Sequence, residues 1–433
     1  MEIFVDILIV GTGAAGLYSA LNLSEDLNIL LITKDSVDKC NTSLAQGGIA
    51  VARDEEDFDL FVKDTLKAGK YKNSMKAVKT LVHESIDNIN KVIDYGTNFE
   101  KENGSLKYTK EAAHSINRIV HSTDETGKEL FLTLLEALRN KKNVNIMENT
   151  TLIDIITKNN ICCGGIAIKG EKRINIYSRA TILATGGIGG LFKNSTSRRN
   201  LTGDGIAIVL RNNIEMADLE YVQFHPTGLY DINVNCEKFL ISESLRGEGA
   251  KLLNVHGKRF VDELLPRDEV AKAVYEEEEK SGLPFVFLDI SFKGKDYIIN
   301  RFPGIYKKCL ESGIDITKQK IPVTPVQHYH MGGIAVDLYS RTSMDHLFAC
   351  GEVSCTGVHG SNRLASNSLL EALVFSRRAS EYINKSIGGI IAVSSEDMKR
   401  KADLSDYCEI NKSIVIDKFG KMGEGIRSEL VNY

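Results

Sequence analysis

The stretch 350–372, CGEVSCTGVHGSNRLASNSLLEA, gathers residue types suited to holding an anion or a flat polar ligand. Arg363 brings five N–H donors in a fixed fork that matches a carboxylate. Ser366, Asn367 and Ser368 stand where a helix should open, and a helix N-terminus offers capping positions and free backbone N–H groups to an anion or a polar ring edge. Gly351, Gly357 and Gly360 supply turns. Such a segment would hold a cofactor with one end and an acid with the other. It is equally compatible with an ordinary glycine-rich loop before a helix, so the elements around it must decide.

The N-terminus reads as a strand, a glycine turn and a helix. Residues 4–10 are a short β-branched run, Gly11-Thr12-Gly13-Ala14-Ala15-Gly16 follows, and Leu17, Ala20, Leu21 and Leu23 continue at helical spacing. In that setting the first glycine makes the turn, the second lets a pyrophosphate approach the backbone, and the third lets helix and strand pack. A second strand is expected over 28–33. Its end carries Thr33 and Lys34 in place of the usual acidic residue for a ribose, which weakens a generic NAD reading. A βαβ unit without nucleotide stays open here. Segment 41–50, NTSLAQGGIA, has no helical or strand period, and Gly47-Gly48 would let backbone approach a flat ring.

Amphipathic helices are expected over 57–67, 74–95 and 128–139, the second with Ser74 as N-cap and Gly96 as stop. Between the last two, Glu111, His114, Arg118 and His121 fall within eleven residues, a possible ligand set that matches no zinc spacing. Segments 144–147, 151–156, 161–169 and 173–177 read as a small antiparallel insert. Residues 181–185 read as a buried strand running into a glycine turn, and Gly203-Asp204-Gly205 as the head of a helix. From about 220 to 327 short strands and scattered helices point to an inserted second domain. Strand character returns at 336–337 and 347–350, and beyond 385 the chain is polar and irregular.

Composition narrows the class. A length of 433 residues favours two domains. A formal net charge of −4 argues against a nucleic-acid binder built on a basic field. No apolar run approaches a membrane span, and the N-terminus lacks the basic region of a signal peptide. Eight cysteines without a CxxC or regular spacing fit neither a disulfide scaffold nor a metal centre. The expectation is a reduced, cytoplasmic enzyme without a metal.

The motifs occur in a telling order: GTGAAG, SLAQGGIA at 43–50, LATGG at 183–187, TGDG at 202–205, QFHPTGLY at 223–230, ESLRGEGA at 243–250, LPRD at 265–268, HYHMGGI at 328–334 and GEVSCTGVHGSNRLASNSLLEA at 351–372. Across roughly 1–385 the chain resembles the fumarate reductase/succinate dehydrogenase flavoprotein family, and within it most closely the branch that oxidises L-aspartate. The fold so implied is α/β: a two-dinucleotide-binding, Rossmann-like FAD domain (1–219 and 330–386), an inserted α+β capping domain (220–329) and a short, truncated helical C-terminal tail (387–433). FAD contacts implied by the resemblance are Gly11, Gly13, Ala14, Ala15, Gly16, Lys34, Asn41, Thr42, Ser43, Leu44, Ala45, Gln46, Gly47, Gly48, Asp204, Glu352, Ser368 and Leu369. Asn41 stands where membrane-bound relatives carry a flavin-linked histidine, so the flavin is expected to be non-covalent.

On the substrate side the resemblance implies His225, Ser242, His328 and Arg363 as a dicarboxylate clamp, and a clamp of donors suits two negative charges. Arg267 matches the family's proton-relaying arginine, with Glu243, Arg246 and Glu248 as a relay or as geometry around it. An electrostatic clamp on developing charge fits Arg267 equally well. Glu111 matches the carboxylate that orients the substrate amine, whereas a succinate or fumarate enzyme has no amine to hold. The implied reaction is hydride transfer from L-aspartate to FAD, giving iminoaspartate, with oxygen or fumarate as electron acceptor and quinolinate synthase as a possible partner in NAD synthesis. A soluble fumarate reductase is the alternative, and a non-catalytic flavin-binding partner the remoter one.

Overall fold

The computed structural model describes residues 1–231, 237–390, 407–422, 426, 429 and 430. Its central element is a seven-stranded sheet. Six strands are β1 (Glu2–Val10), β2 (Ile29–Ile32), β3 (Val144–Met147), β4 (Thr151–Lys158), β5 (Ile161–Lys169) and β6 (Lys172–Leu183), in the order β3-β2-β1-β6-β5-β4. Leu347–Ala349 joins late, parallel to the end of β6. The β3-β2-β1-β6 part is parallel, and β4 and β5 add an antiparallel margin.

Alternation along these strands feeds two separate cores. Ile7, Ile9, Ile29 and Leu31 face one side, where α1 (Ala14–Asn22), α2 (Phe58–Ala68), α3 (Met75–His83), α4 (Ser85–Asp94) and α5 (Thr126–Arg139) contribute Leu17, Phe61, Val78, Ile89 and Leu134. Leu8, Val10, Leu30 and Ile32 face the other, packed with Ile206 and Val209 of α6 (Asp204–Arg211). A strand buried on both faces reads as a continuous apolar run, as β2 does.

Four expectations need correction. The helix over 74–95 is two helices: Glu84 leaves helical geometry (φ −92°, ψ 1°). Buried Ser85 then bonds outward, its hydroxyl donating to Val82 O and accepting from Ala52 N. Segment 144–147 is no part of an antiparallel insert, because β3 pairs parallel with β2. Segments 173–177 and 181–185 are one strand, β6, whose N-terminal part pairs with β5 and whose end pairs with Leu347–Ala349. The third strand near the C-terminal half is Gly333–Ala335, not 336–337.

A second sheet rises from this base: β7 (Val222–Leu229), β8 (Lys251–Leu253), β9 (Val286–Asp289) and β10 (Ile321–His330), ordered β7-β10-β9-β8 and antiparallel throughout. It has its own core, including Leu245, Val270, Leu288 and Phe302. Entry and exit strands β7 and β10 are paired neighbours, so one double strand carries the module. Helices α7 (Glu243–Gly247), α8 (Arg267–Ser281) and α9 (Pro303–Glu311) belong to it, and α10 (Asn367–Ser386) returns to the first core. Helix α11 (Tyr407–Gly420) adds Val415 and Phe419 to the second core. Most of 387–433, including much of 421–430, lies outside the described residues.

The glycine turn after β1 separates its glycines by role. A Cβ on Gly16 would lie 1.9 Å from Gly11 O, whereas one on Gly13 would meet only Thr42 Oγ1, at 3.3 Å. Gly16→Ala is therefore expected to destabilise the protein by about 1–3 kcal/mol through a forced backbone shift, and Gly13→Ala by much less. Denaturation midpoints of the two variants check this; equal losses would contradict it.

Candidate functional site

A cavity of about 490 Å³ runs from the glycine turn of β1 to the module on β7–β10. Its far end collects side chains from six separate places: Glu111 from a loop, His225 from β7, Ser242 and Glu243 at the start of α7, Arg267 at the first position of α8, His328 and Tyr329 from β10, and Arg363 before α10. Of the substrate-side residues named from sequence, Glu111, His225, Ser242, Glu243, Arg267, His328 and Arg363 therefore meet in one space, whereas Arg246 and Glu248 do not line it.

Charge is unevenly balanced there. Arg267 donates from Nε to Glu243 Oε2 at 2.5 Å and from Nη1 to Gln223 Oε1 at 3.0 Å. Arg246 lies 3.6 Å from the same Glu243 oxygen. Burial pushes the Glu243 carboxyl up, but Arg267 and Arg246 outweigh it and hold the group below the usual carboxylate range. Arg363 is different: among the described residues it has no carboxylate within ion-pair distance. It donates to Ser368 Oγ at 2.6 Å and lies 4.5 Å over the Tyr329 ring. Burial, then Arg267, lower its pKa to about 10. Its Nε is buried without a partner.

The histidines are neutral donors. His225 Nδ1 accepts from Thr227 N at 3.2 Å, which leaves the proton on Nε2, buried and unpartnered. His328 Nδ1 shares a 2.7 Å hydrogen bond with the Thr196 hydroxyl, and the two rings stand 5.2 Å apart. Burial and then the nearby arginines hold both pKa values well below the usual histidine value. Opposite them, Glu111 is buried, and its Oε2 accepts from Ser366 Oγ at 2.7 Å. Burial, then Glu243, raise its pKa.

Expected contributors that stay away are few. Ser43 lies in a 3₁₀ turn and donates to Cys40 O at 2.8 Å, and Gly16 faces Gly11, so neither lines the cavity. Glu248 pairs with Arg301 at 2.7 Å and does not line the cavity. Ser366 does not cap α10 with its side chain; it adopts φ 62° and turns to Glu111. Sequence reasoning passed over Gln223, which bridges Arg267, Asn362 and Arg363 O. It also passed over Tyr329. In the β7–β10 pairing Gln223 faces Tyr329 and Phe224 faces Gln327, so His328 is an extra residue. That bulge brings two successive side chains to one cavity, which strict alternation forbids.

The FAD binding domain family model matches residues 6–369. The L-aspartate oxidase of Clostridium acetobutylicum is 57% identical over 433 residues, covering all of both chains. That of Clostridium perfringens is 55% identical over 431 residues, covering all of this chain and 98% of the relative. Among solved structures, E. coli quinol fumarate reductase superposes with a TM-score of 0.84 at 28% identity, over 97% of this chain and 75% of that one. The chain belongs to the L-aspartate oxidase family.

The near end of the cavity fits the FAD that this family binds. Gly11, Gly13, Ala14, Ala15, Lys34, Asn41, Thr42, Gln46, Gly47, Gly48, Asp204, Glu352 and Leu369 all line it. Gly13 brings no side chain of its own to the start of α1; Ala14 N donates to Thr42 Oγ1 at 2.9 Å, and the N–H groups that follow at this helix N-terminus suit a phosphate. Among the described residues Gln46 Oε1 and Thr185 Oγ1 are buried and have no hydrogen-bond partner. Lys34 ties this end together through Asp204 at 2.9 Å and Thr202 at 3.0 Å.

Glu352 accepts from His330 N at 3.1 Å, and burial raises its pKa to about 7. Between pH 4.5 and 7 the unfolded chain loses this proton while the folded one keeps it, so stability falls as pH rises through that window. For the apoprotein the effect is on the order of 3 kcal/mol. Glu352→Gln should flatten that part of the pH–stability profile, as measured by denaturant unfolding at pH 5 and pH 7.5.

Proposed function

We propose that this chain oxidises L-aspartate to iminoaspartate with non-covalently bound FAD, in the cytoplasm. The observation that carries the reading is one cavity with a guanidinium, Arg363, that has no carboxylate partner among the described residues, and a separate buried carboxylate, Glu111. A plain dicarboxylate needs the first and is repelled by the second; an amino dicarboxylate uses both. The 57% identity to a L-aspartate oxidase supports the same assignment.

Arg363 takes one substrate carboxylate in a bidentate contact. His225 Nε2, His328 and Ser242 donate to the other. Glu111 accepts from the substrate ammonium and sets the direction of Cα. Bound FAD supplies the acceptor for the hydride that leaves Cα. Arg267, anchored on Glu243 and Gln223, stabilises charge beside the reacting carbon, and the amine proton leaves to a site base or water. Gly13, Ala14 and Ala15 would hold the pyrophosphate. Asn41 would leave the flavin unlinked, since a carboxamide has no nucleophilic nitrogen of the kind an imidazole offers; its Nδ2 donates to Ser197 Oγ and its Oδ1 accepts from Arg198 N. The module over 220–329 acts as the cap.

Oxygen or fumarate reoxidises the cofactor; the likeness to a quinol fumarate reductase supports the second. Iminoaspartate would pass to quinolinate synthase toward NAD. The test is anaerobic bleaching of the flavin. L-Aspartate should bleach it, and Glu111→Gln should lower kcat/KM for L-aspartate about 10–100-fold, the cost of one charge-assisted hydrogen bond. Bleaching by succinate but not by L-aspartate would sink the proposal and favour a soluble succinate or fumarate enzyme.

A further inference from the structure

His114 and Arg118 drew notice in the sequence, yet neither lines the cavity. Both are buried, within the segment that begins with Glu111. Arg118 is fully enclosed and doubly anchored. It meets Asp57 with two hydrogen bonds, at 2.8 and 3.1 Å, and Asp64 with one at 2.5 Å. Asp64 also accepts from the backbone N–H of Ser115 at 2.7 Å. The guanidinium therefore cannot move without breaking several charge-assisted contacts.

That fixed guanidinium dictates the state of the next ring. Arg118 Nη1 lies 3.1 Å from His114 Nδ1, and a guanidinium only donates, so Nδ1 accepts and the proton sits on Nε2. His114 Nε2 then donates to Ala365 O at 3.0 Å. Ala365 precedes Ser366, whose left-handed backbone directs its hydroxyl to Glu111. Among the described residues this hydroxyl is the one side-chain hydrogen-bond partner of the Glu111 carboxyl. Two links thus join segments 111–114 and 365–366: one through the Glu111 carboxylate, one through the His114 ring. The fit is close, since a Cβ on Gly47 would come within 2.6 Å of Glu111 Oε1.

We propose that His114, held by Arg118, is a positioning residue for recognition of the substrate amine, acting by fixing Ser366 and with it the Glu111 carboxylate. The inference rests on the reading of Glu111 as the amine's partner. It predicts a selective defect. A ligand without an amine, such as succinate, uses the Arg363 end of the cavity and does not depend on the second link.

The experiment is a double-mutant cycle on the FAD-loaded enzyme with His114→Asn, Glu111→Gln and the pair. L-Aspartate is read by KM and kcat from anaerobic flavin reduction, and succinate by its Kd from the perturbed flavin spectrum. Asparagine keeps an acceptor near Arg118 but cannot reach Ala365 O. His114→Asn should raise KM for L-aspartate about tenfold and leave succinate Kd within about twofold. The double variant should be no worse than Glu111→Gln alone. His114→Gln, whose amide reaches further, should recover most of the loss and serves if the asparagine variant does not fold. Equal weakening of both ligands, an unchanged L-aspartate KM, or additive losses in the double variant would overturn the proposal. If Glu111→Gln itself leaves the aspartate-to-succinate ratio unchanged, the reading of Glu111 falls first. If that variant alone discriminates, only the role of His114 falls.

Discussion

A guanidinium that is 4% exposed, with no carboxylate within ion-pair distance among the described residues, sets the terms for everything around it. Burying a charge costs several kcal/mol unless geometry compensates, and for Arg363 the compensation is partial: one hydroxyl, one aromatic face and one orphaned N–H. The aromatic face is itself secured. Tyr329 donates to Glu371 Oε2 at 2.9 Å, and the same carboxylate is met by His359 at 2.9 Å and by Thr356. Helix α10, the loop before it and strand β10 are thus locked to present one unsatisfied cation. The state is unfavourable until an anion arrives, so part of the folding energy of the surrounding core is held as affinity for a carboxylate.

The fold explains how residues so far apart in sequence reach that cation. Parallel strands β1, β2 and β6 end on the same side, where ligands of open α/β sheets collect. The paired strands β7 and β10 bring the second module to this edge, and its two histidines arrive on neighbouring strands. No single segment contains the site: Glu111 comes from a loop, His225 from β7, Arg267 from α8 and Arg363 from the loop before α10. The cofactor end depends mainly on local backbone, whereas the substrate end depends on tertiary packing.

That division matches what could be read from the chain alone. The turn around Gly11 and Gly16 is legible because its determinants are contiguous and steric, and Arg363 because its loop and helix adjoin it in sequence. Tyr329 was hidden because only the bulge at His328 puts successive residues on one face, and Gln223 because its partners Arg267, Asn362 and Arg363 lie far off in sequence. The break at Glu84 was hidden too: helical spacing continues through it, and the hydrogen bonds of Ser85 that define it reach to Ala52. Strand β3 was misassigned because its neighbour β2 lies more than a hundred residues earlier, beyond anything a local period reports. Ser43 misled by standing inside a motif whose other members face the cavity.

The same balance of burial and charge governs the pair Arg267–Glu243. Burial alone would protonate Glu243. It stays an anion because Arg267 and Arg246 flank it, and they in turn are tolerable so deep in the protein because it is charged. His225 Nε2, 3.9 Å from Glu243 Oε2, belongs to the same balance. Two of the donor sites on Arg267 are consumed, Nε by Glu243 and Nη1 by Gln223, so the orientation of its remaining N–H groups is imposed from behind. Either role proposed for Arg267, proton transfer or charge stabilisation, would therefore draw on one requirement, an ionised Glu243. A neutral Glu243 would remove both at once and leave two buried cations facing each other.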